Sequence, residues 1–479
     1  MFHISDIRKF ERCHRYYYAE QREAAFHDSF LRNDESMTDL LVEFFAHPDC
    51  FVGKRGDEAR LFFENEHRYD YFFNVRFEAG EMRIKVPVLI KGTCGYHVYF
   101  VHHGTSVREL DYYSLSIAYQ VLLQNNLKVS KIYMISFNPD YVFHNRLEVG
   151  KLFVISDSFR ERPIIDLVIS HPIDYEKIIA EIKSSSYEES LPIKGRNCHL
   201  KVECPHYHDC FGDEEIRDDS IMTLVSSRYK KDMQAEGIER LADVDTSRLE
   251  GNRVQYAQIM ASRNGGQFVD KLALKHFLSS IPEGNASFID FEWDRYLVPP
   301  FEGMKPLDVV CFEFALYYLD DDQQLQNYTF IGTKDCRKEF VEDILRHLPE
   351  KGAIFAYNAE GAEVLRLKEL GKIFPEYNKE LNKIIARFVD LATPFVEGLV
   401  YDVRMAGNYS LKKLVSVVSE YSYRNLDIND GMKAVYSWRN VDKGNLEDSS
   451  KVLADLKEYC SLDAYGLLLV YRWLISLVA

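Results

Sequence analysis

A chain of 479 residues is too long for one hydrophobic core and implies two or three domains. Its 46% hydrophobic and 28% charged residues are ordinary for a globular protein, and no apolar run of about 20 residues is present to cross a bilayer. The formal net charge of -16 argues against broad, sequence-independent adhesion to nucleic acid, although net charge does not speak against a local groove.

The opening MFHISDIRKFERCHRYYY lacks the apolar centre of a secretory signal, so a cytoplasmic location is expected. Nine cysteines in that compartment do not read as a disulfide framework. Arg8, Lys9, Arg12 and Arg15 surround the run Tyr16 to Tyr18. Cations suit phosphates and flat rings suit bases, while tyrosine triplets also fill cores.

Helical periodicity follows in DYYSLSIAYQVLL, which includes Gln120, and again from near Tyr175 in YEKIIAEIK. Glu181 and Lys183 fall in the second pattern, where residues two apart point to different faces. Cys198, Cys204 and Cys210 then come at six-residue steps in NCHLKVECPHYHDCF, with Cys13 far upstream. Thiolates grouped this way hold zinc or an iron-sulfur cluster, or are left unligated. Cys50, Cys94, Cys311, Cys336 and Cys460 lack such company and read as buried small residues. Residues 213–284 are polar and charge-rich, a helical connector expected to pack loosely and to end in the helix VDKLALKHFLSSI.

In FIDFEW, Asp290 and Glu292 alternate with Ile289 and Phe291, so both acids leave one face of a buried strand. A second apolar strand, AIFAYN, leads into AEGAEVLRLKELG, a helix whose first turn carries Glu360 and Glu363 beside Asn358. Acids are favourably placed there by the helix dipole. Asp390 in RFVDLATPF is either an N-cap at a loop or a support for the acidic site. Lys412 and Lys413 are candidates for holding phosphate, against the commoner reading of a solvated helix face. In LKEYCSLDAYGLLLVYRWL, Tyr459 and Asp463 stand one turn apart on one helix face. Cutting a phosphodiester takes two divalent cations about 3.5 to 4 Å apart, and hard cations of that size prefer carboxylates.

These motifs resemble the DEDD exonucleases of the ribonuclease H-like superfamily, in the branch with tyrosine in the last motif (DEDDy). The resemblance implies that Asp290, Glu292, Glu363 and Asp463 hold two Mg2+ or Mn2+ ions and that Tyr459 positions the attacking water. In that family the second acid stands four residues after the Asn, where this chain has Ala362; the register of RLKEL selects Glu363, with Glu360 as fallback. The wider order of FIDFEW, VPPFEGMKPLDVVCFEFALYYL, YNAEGAEVLRLKEL, RFVDLATPF, NYSLKKLVSVV and YCSLDAYG is similar to an uncharacterised bacterial family in which a RecB-like (PD-(D/E)XK) nuclease half precedes a DEDD-like half.

One distant N-terminal cysteine with three grouped later also resembles the iron-sulfur RecB-like nucleases, which implies a [4Fe-4S] cluster on Cys13, Cys198, Cys204 and Cys210. Zinc, on cysteines with His206 or His208, is the competitor. Where relatives carry the catalytic Asp, this chain has Pro87, and Phe100, Val101 and His102 replace their Glu-x-Lys, so the nuclease motif of this half is lost. Asp166 with Glu181 and Lys183 imitates that motif in text alone.

The expectation is therefore an α/β protein of two domains. A degenerate restriction-endonuclease-like (RecB-like) domain with a Cys cluster spans 1–212, the connector 213–284, and a ribonuclease H-like mixed-sheet domain 285–479. The expected function is a metal-dependent 3'-5' exonuclease on DNA or RNA. The alternative is a non-catalytic nucleic-acid-binding or scaffold component of a repair or defence complex, and a redox or iron sensor is a third reading. Nucleic acid and a protein of such a complex are the expected partners, and no membrane.

Overall fold

The computed structural model describes residues 1–22, 31–109, 111–191, 198, 204–211, 217–249, 251–320, 322, 324–421, 423, 426–444 and 449–479. The chain is α/β and separates into two compact units: Met1–Glu214 with Arg295–Asp308, and Glu215–Asp294 with Val309–Ala479. No helix among the described residues is long and apolar enough to cross a membrane.

The first unit is built on a six-stranded sheet. Its strands β1 (Cys50–Val52), β2 (Tyr71–Ala79), β3 (Met82–Gly92), β4 (Gly95–Val101), β5 (Val129–Phe137) and β6 (Phe153–Ser156) are neighbours in chain order. β1 and β2 are parallel, as are β4 and β5, and the other pairs are antiparallel. One face packs Phe72, Val75, Phe77, Ile84 and Val86 against helices that include α1 (Ile4–Arg12), α2 (His14–Arg22), α3 (Asp111–Gln124) and α4 (Tyr175–Ser184). Tyr16 and Tyr17 are buried, and Tyr18 donates to the carbonyl of Ile182 at 2.7 Å. Lys9 pairs with Glu20 at 3.0 Å, and Arg15 donates to the carbonyls of Tyr187 and Ser190. Tyr16 and Tyr17 thus fill a core, and Lys9 and Arg15 are engaged by groups of their own unit.

The second unit holds a mixed sheet whose centre is the FIDFEW strand, β7 (Ser287–Tyr296). With β8 (Val309–Leu319), β9 (Leu325–Ile331), β10 (Ile354–Ala356) and β11 (Phe388–Asp390), the order is β9-β8-β7-β10-β11. β8 and β9 form an antiparallel pair, while β7, β10 and β11 run parallel. Ile289 and Phe291 face a core shared with α5 (Arg337–His347) and α6 (Glu363–Ile373), including Phe340, Ile344, Val364 and Leu367. On the other face lie α7 (Leu411–Val418), α8 (Gly431–Asp442) and the 27-residue α9 (Ser450–Ser476), with Ala315 of β8 packed against Cys460 and Ala464 of α9. Period-two alternation in β7 therefore sends its apolar residues into one layer and its acids toward the other.

The boundaries differ from those expected. Residues 295–308 return to the first unit, and 215–294 belong to the second rather than standing apart as a connector. The expected break at 212/213 lies outside the described residues. Ile221, Leu224, Met233, Leu241, Val244 and Ile259 form a small core of their own, and Gln267–Val269 pairs antiparallel with Val400–Asp402. Charge-rich composition had masked these spaced apolar positions. The helix expected before FIDFEW is present as Lys271–Ser279, with Asp270 accepting from the Ala273 amide.

Candidate functional site

Asp290 and Glu292 leave the same face of β7, and Asp463 reaches them from α9. One ligand oxygen from each lies within 4.8 Å of the other two. Asp463 is buried, whereas Asp290 and Glu292 retain partial solvent contact. Burial first, then the charges of Asp463, Glu292 and Glu363, hold the Asp290 carboxyl well above the usual carboxylate range. Glu292 is raised in the same way by burial, Asp463 and Glu313. Three carboxyls so close repel one another unless protons or cations intervene. All donors are hard oxygens, which suits Mg2+ or Mn2+ better than softer metals.

The Tyr459 phenol hydrogen-bonds Asp463, and its own ionisation is pushed far up by burial and the charges of Asp463, Glu292 and Asp290. In this state it is a proton donor and an orienting group rather than a base. Gly431, the first residue of α8, forms part of the wall: a Cβ there would stand 3.7 Å from Glu292 Oε2 and 3.9 Å from the Tyr459 hydroxyl. Its missing side chain leaves that space open. α8 is anchored by a buried bidentate pair, Arg439 with Asp294, at 2.9 and 2.6 Å.

The second-motif segment differs in detail from the expected helix. Asn358 sits at φ 55°, a left-handed conformation that asparagine tolerates, and Ala359–Gly361 forms a single tight turn. Ala362, at φ -118° and ψ -102°, breaks the path, so α6 begins at Glu363. Glu360 therefore lies outside the helix, exposed and paired with Lys368 at 3.3 Å, unlike the buried Glu363. Glu363 is buried, and backbone amides including that of Phe291 donate to its carboxylate. β10 pairs with β7 only at Ser287 and Phe288, so further along β7 a side chain meets that amide. One carboxylate oxygen, Oε2, has no hydrogen-bond partner, and burial pushes the group up to about 8. Its charge is felt at Asp290 and Glu292, yet it stands outside the tight trio. Asp390 takes the capping role: its Oδ1 accepts from the amides of Asn358 and Ala392, each at 2.9 Å, and so fixes the turn that leads to Glu363.

Three residues at this site, Tyr423, Cys460 and Glu313, were not assigned to it from sequence. Tyr423 donates to Asp463 Oδ1 at 2.6 Å. Cys460, one residue past Tyr459, places its sulfur 3.7 Å from Asp290 Oδ2. Glu313 of β8 is fully buried with neither carboxylate oxygen partnered, and burial pushes it up to about 8. Lys412, a phosphate candidate from sequence, projects over the rings of Tyr459 and Tyr423. An acid at a core position of a strand was the one legible signal, at Glu313 in VVCFEFALYYL.

In the first unit, Cys13, Cys198, Cys204 and Cys210 are free thiols near one another: Cys13 and Cys198 act on Cys204, and Cys13 and Cys204 act on Cys210. The Cys204 amide donates to the Cys198 carbonyl at 2.9 Å. Among the described residues no three cysteine or histidine ligand atoms come within 4.8 Å of one another. Both ring nitrogens of His206 are engaged, Nε2 with Glu20 at 2.9 Å and Nδ1 with Asp209 at 3.2 Å.

Pro87 lies on β3 and Phe100 and Val101 on the adjacent antiparallel β4, while His102 Nδ1 pairs with Asp111 at 3.0 Å. Gln120 donates to the Ile173 carbonyl at 3.0 Å. Glu181 and Lys183 lie on helix α4, where Lys183 pairs with Glu81 at 2.8 Å, and Asp166 lies on a separate helix, Ile164–Ser170.

Residues 287–410 match a family described as a domain of unknown function, DUF2779. That span contains Asp290, Glu292, Glu363 and Asp390 and ends before Tyr459 and Asp463. No curated protein and no solved structure matches the chain.

Proposed function

We propose that the second unit is a metal-dependent exonuclease, acting 3'-5' on DNA or RNA. The observation that carries this reading is the convergence of Asp290, Glu292 and Asp463 within 4.8 Å, beside a buried tyrosine one turn from Asp463. The mixed sheet with its acid-bearing strand at the centre is the kind that the ribonuclease H-like likeness implies, and the polarity is taken from that likeness.

Asp290, Glu292 and Asp463 would hold two Mg2+ or Mn2+ ions with Glu363, whose partnerless Oε2 supplies a further oxygen. When bound, such a pair readies a water and stabilises the oxygen that leaves. The chain's own work is positional. β7 and α9 present the carboxylates, Tyr423 and Tyr459 orient Asp463 by donating to it, and the open space at Gly431 admits the strand. Tyr459, whose one O–H proton is given to Asp463, would accept from the attacking water through its phenol oxygen and so align it. The water oxygen bonds to phosphorus as the bond to the 3'-oxygen breaks, and the proton of the water ends on the group that leaves.

In the first unit the lost motif at Pro87, Phe100, Val101 and His102 makes this half a non-cutting module. Cys13, Cys198, Cys204 and Cys210 hold a [4Fe-4S] cluster on this reading. The engaged nitrogens of His206 favour an all-thiolate cluster over zinc held with that histidine.

Purified protein with Mn2+ should shorten a 3'-exposed strand, and Asp290→Ala with Asp463→Ala should abolish it; equal shortening by the double variant overturns the assignment. One observation favours a second reading, a nucleic-acid-binding scaffold: Glu363 is held by backbone amides outside the tight trio. Calorimetry showing no Mn2+ uptake with retained oligonucleotide binding would select it.

A further inference from the structure

Carboxylates repel a phosphate, so an acidic site that receives one needs a cation of its own near the ions it binds. Lys412 lies in the first turn of α7, a helix whose N-cap, Ser410, makes no side-chain cap bond and whose first turn holds no acid. Its ammonium donates to the carbonyl of Asn429 at 3.0 Å, just ahead of Gly431. The same nitrogen stands 4.5 Å from the ring centre of Tyr459 and 5.1 Å from that of Tyr423. These two phenols hydrogen-bond Asp463, so the cation is wedged between the groups that orient one ligand. Its charge lowers the proton affinity of both Glu292 and Asp463.

Yet among the described residues no carboxylate comes within the 4.0 Å ion-pair distance of Lys412 Nζ. A lysine present only to neutralise the acids would close on one of them. This one is tethered to a carbonyl and two ring faces, near the acids but apart from them. An ammonium has three donors, and Asn429 takes one. The neighbouring Lys413 makes none of these contacts among the described residues.

We infer that Lys412 binds a non-bridging oxygen of the phosphodiester placed at the acid site. The inference rests on the nuclease reading above and adds the residue that receives the substrate's charge. The count of charges agrees with it: four carboxylates offset two divalent ions, and the phosphodiester brings one further negative charge, which Lys412 matches. Placed over the Tyr459 ring, the ammonium would fix the phosphate beside the phenol that aligns the water.

The test uses the full chain and a single-stranded oligonucleotide with a free 3' end, as DNA and as RNA. Binding is measured in Ca2+ over a salt series, cleavage in Mn2+, and Mn2+ affinity by calorimetry. Lys412→Gln should weaken oligonucleotide binding by about 10-fold and reduce the salt slope by about one. It should lower kcat/KM by about 10- to 100-fold, with Mn2+ affinity unchanged or tighter, while Lys412→Arg keeps part of the binding and Lys413→Gln behaves as wild type. Should Lys412→Gln fold poorly, Lys412→Arg and Lys412→Met carry the same comparison. Unchanged oligonucleotide affinity and salt slope in the folded Lys412 variants overturn the inference, and the residue is then only a counter-charge for the acids. If the wild type binds oligonucleotide but does not cut in Mn2+, the nuclease reading fails by itself; the binding comparison still decides whether Lys412 holds phosphate.

Discussion

The hydroxyl of Tyr423 lies 2.6 Å from Oδ1 of Asp463, a residue 40 positions further along the chain. Tyr459 donates to the same carboxylate, so two phenols hold one acid in a fixed orientation and favour its charged form. Removing one donor should disturb both orientation and charge. Tyr423→Phe is expected to weaken Mn2+ binding several-fold near neutral pH and to cost about 1 kcal/mol of stability. Calorimetric titration and chemical denaturation of the two proteins check this.

Clustered acids strain the ion-free fold, so neutralising one should stabilise it. Asp290→Asn is expected to raise the melting temperature of the ion-free protein by a few degrees, about 1 kcal/mol, and to remove most of the rise that Mn2+ gives the wild type. A lower melting temperature for the variant would mean that the Asp290 charge is already compensated.

Stability of the ion-free protein should depend on pH with a definite sign. Glu313 and Glu363 are each pushed from 4.5 up to about 8, in both cases mainly by burial. Between those values the folded chain keeps protons that the unfolded chain releases, so stability falls as pH rises and levels off above about 8. Thermal melts in chelator should drop by several degrees from about pH 5 to about pH 8. Glu313→Gln should flatten that fall, because the amide has no proton to lose; an unchanged slope would place the titration elsewhere.

The two glutamates of the second motif should separate cleanly. Glu363→Gln is expected to lower metal-dependent cleavage at least about 100-fold, and Glu360→Gln to leave it within about twofold, since that side chain is exposed and pairs only with Lys368. Single-turnover rates on one labelled strand give the comparison.

Protein purified without oxygen should be brown, with visible absorption lost in a variant carrying serine at Cys13 and Cys204. Persistent colour with metal analysis showing zinc alone would reject the cluster. Substitution of His206 should cost stability through Glu20 and Asp209 while leaving the colour unchanged.

Local periodicity carried much of this arrangement. Alternation in FIDFEW put Asp290 and Glu292 on one strand face, and helical spacing put Tyr459 above Asp463, because both relations span a few residues of regular backbone. Glu360 and Glu363 were not separable by spacing, since the outcome turned on the dihedrals of Ala362. Tyr423 gave no signal at all: nothing periodic links it to Asp463. Nor could composition show that 295–308 rejoins the first unit while the charge-rich 215–294 packs into the second. The tyrosine run near the N-terminus left a stacking surface and a core both open because sequence does not report burial, and Tyr16 and Tyr17 are buried.

Cys460, next to Tyr459 on α9, meets Asp290 across a separation of 170 positions. Contacts this distant close slowly, because the entropy of a long loop is lost before they form. Late assembly of the pocket is therefore expected, and a partly folded chain would offer scattered carboxylates with little grip on a cation. On the proposed reading, ion uptake would mark finished folding, and a lesion that merely loosens α9 would end the chemistry while most of the sheet stays intact.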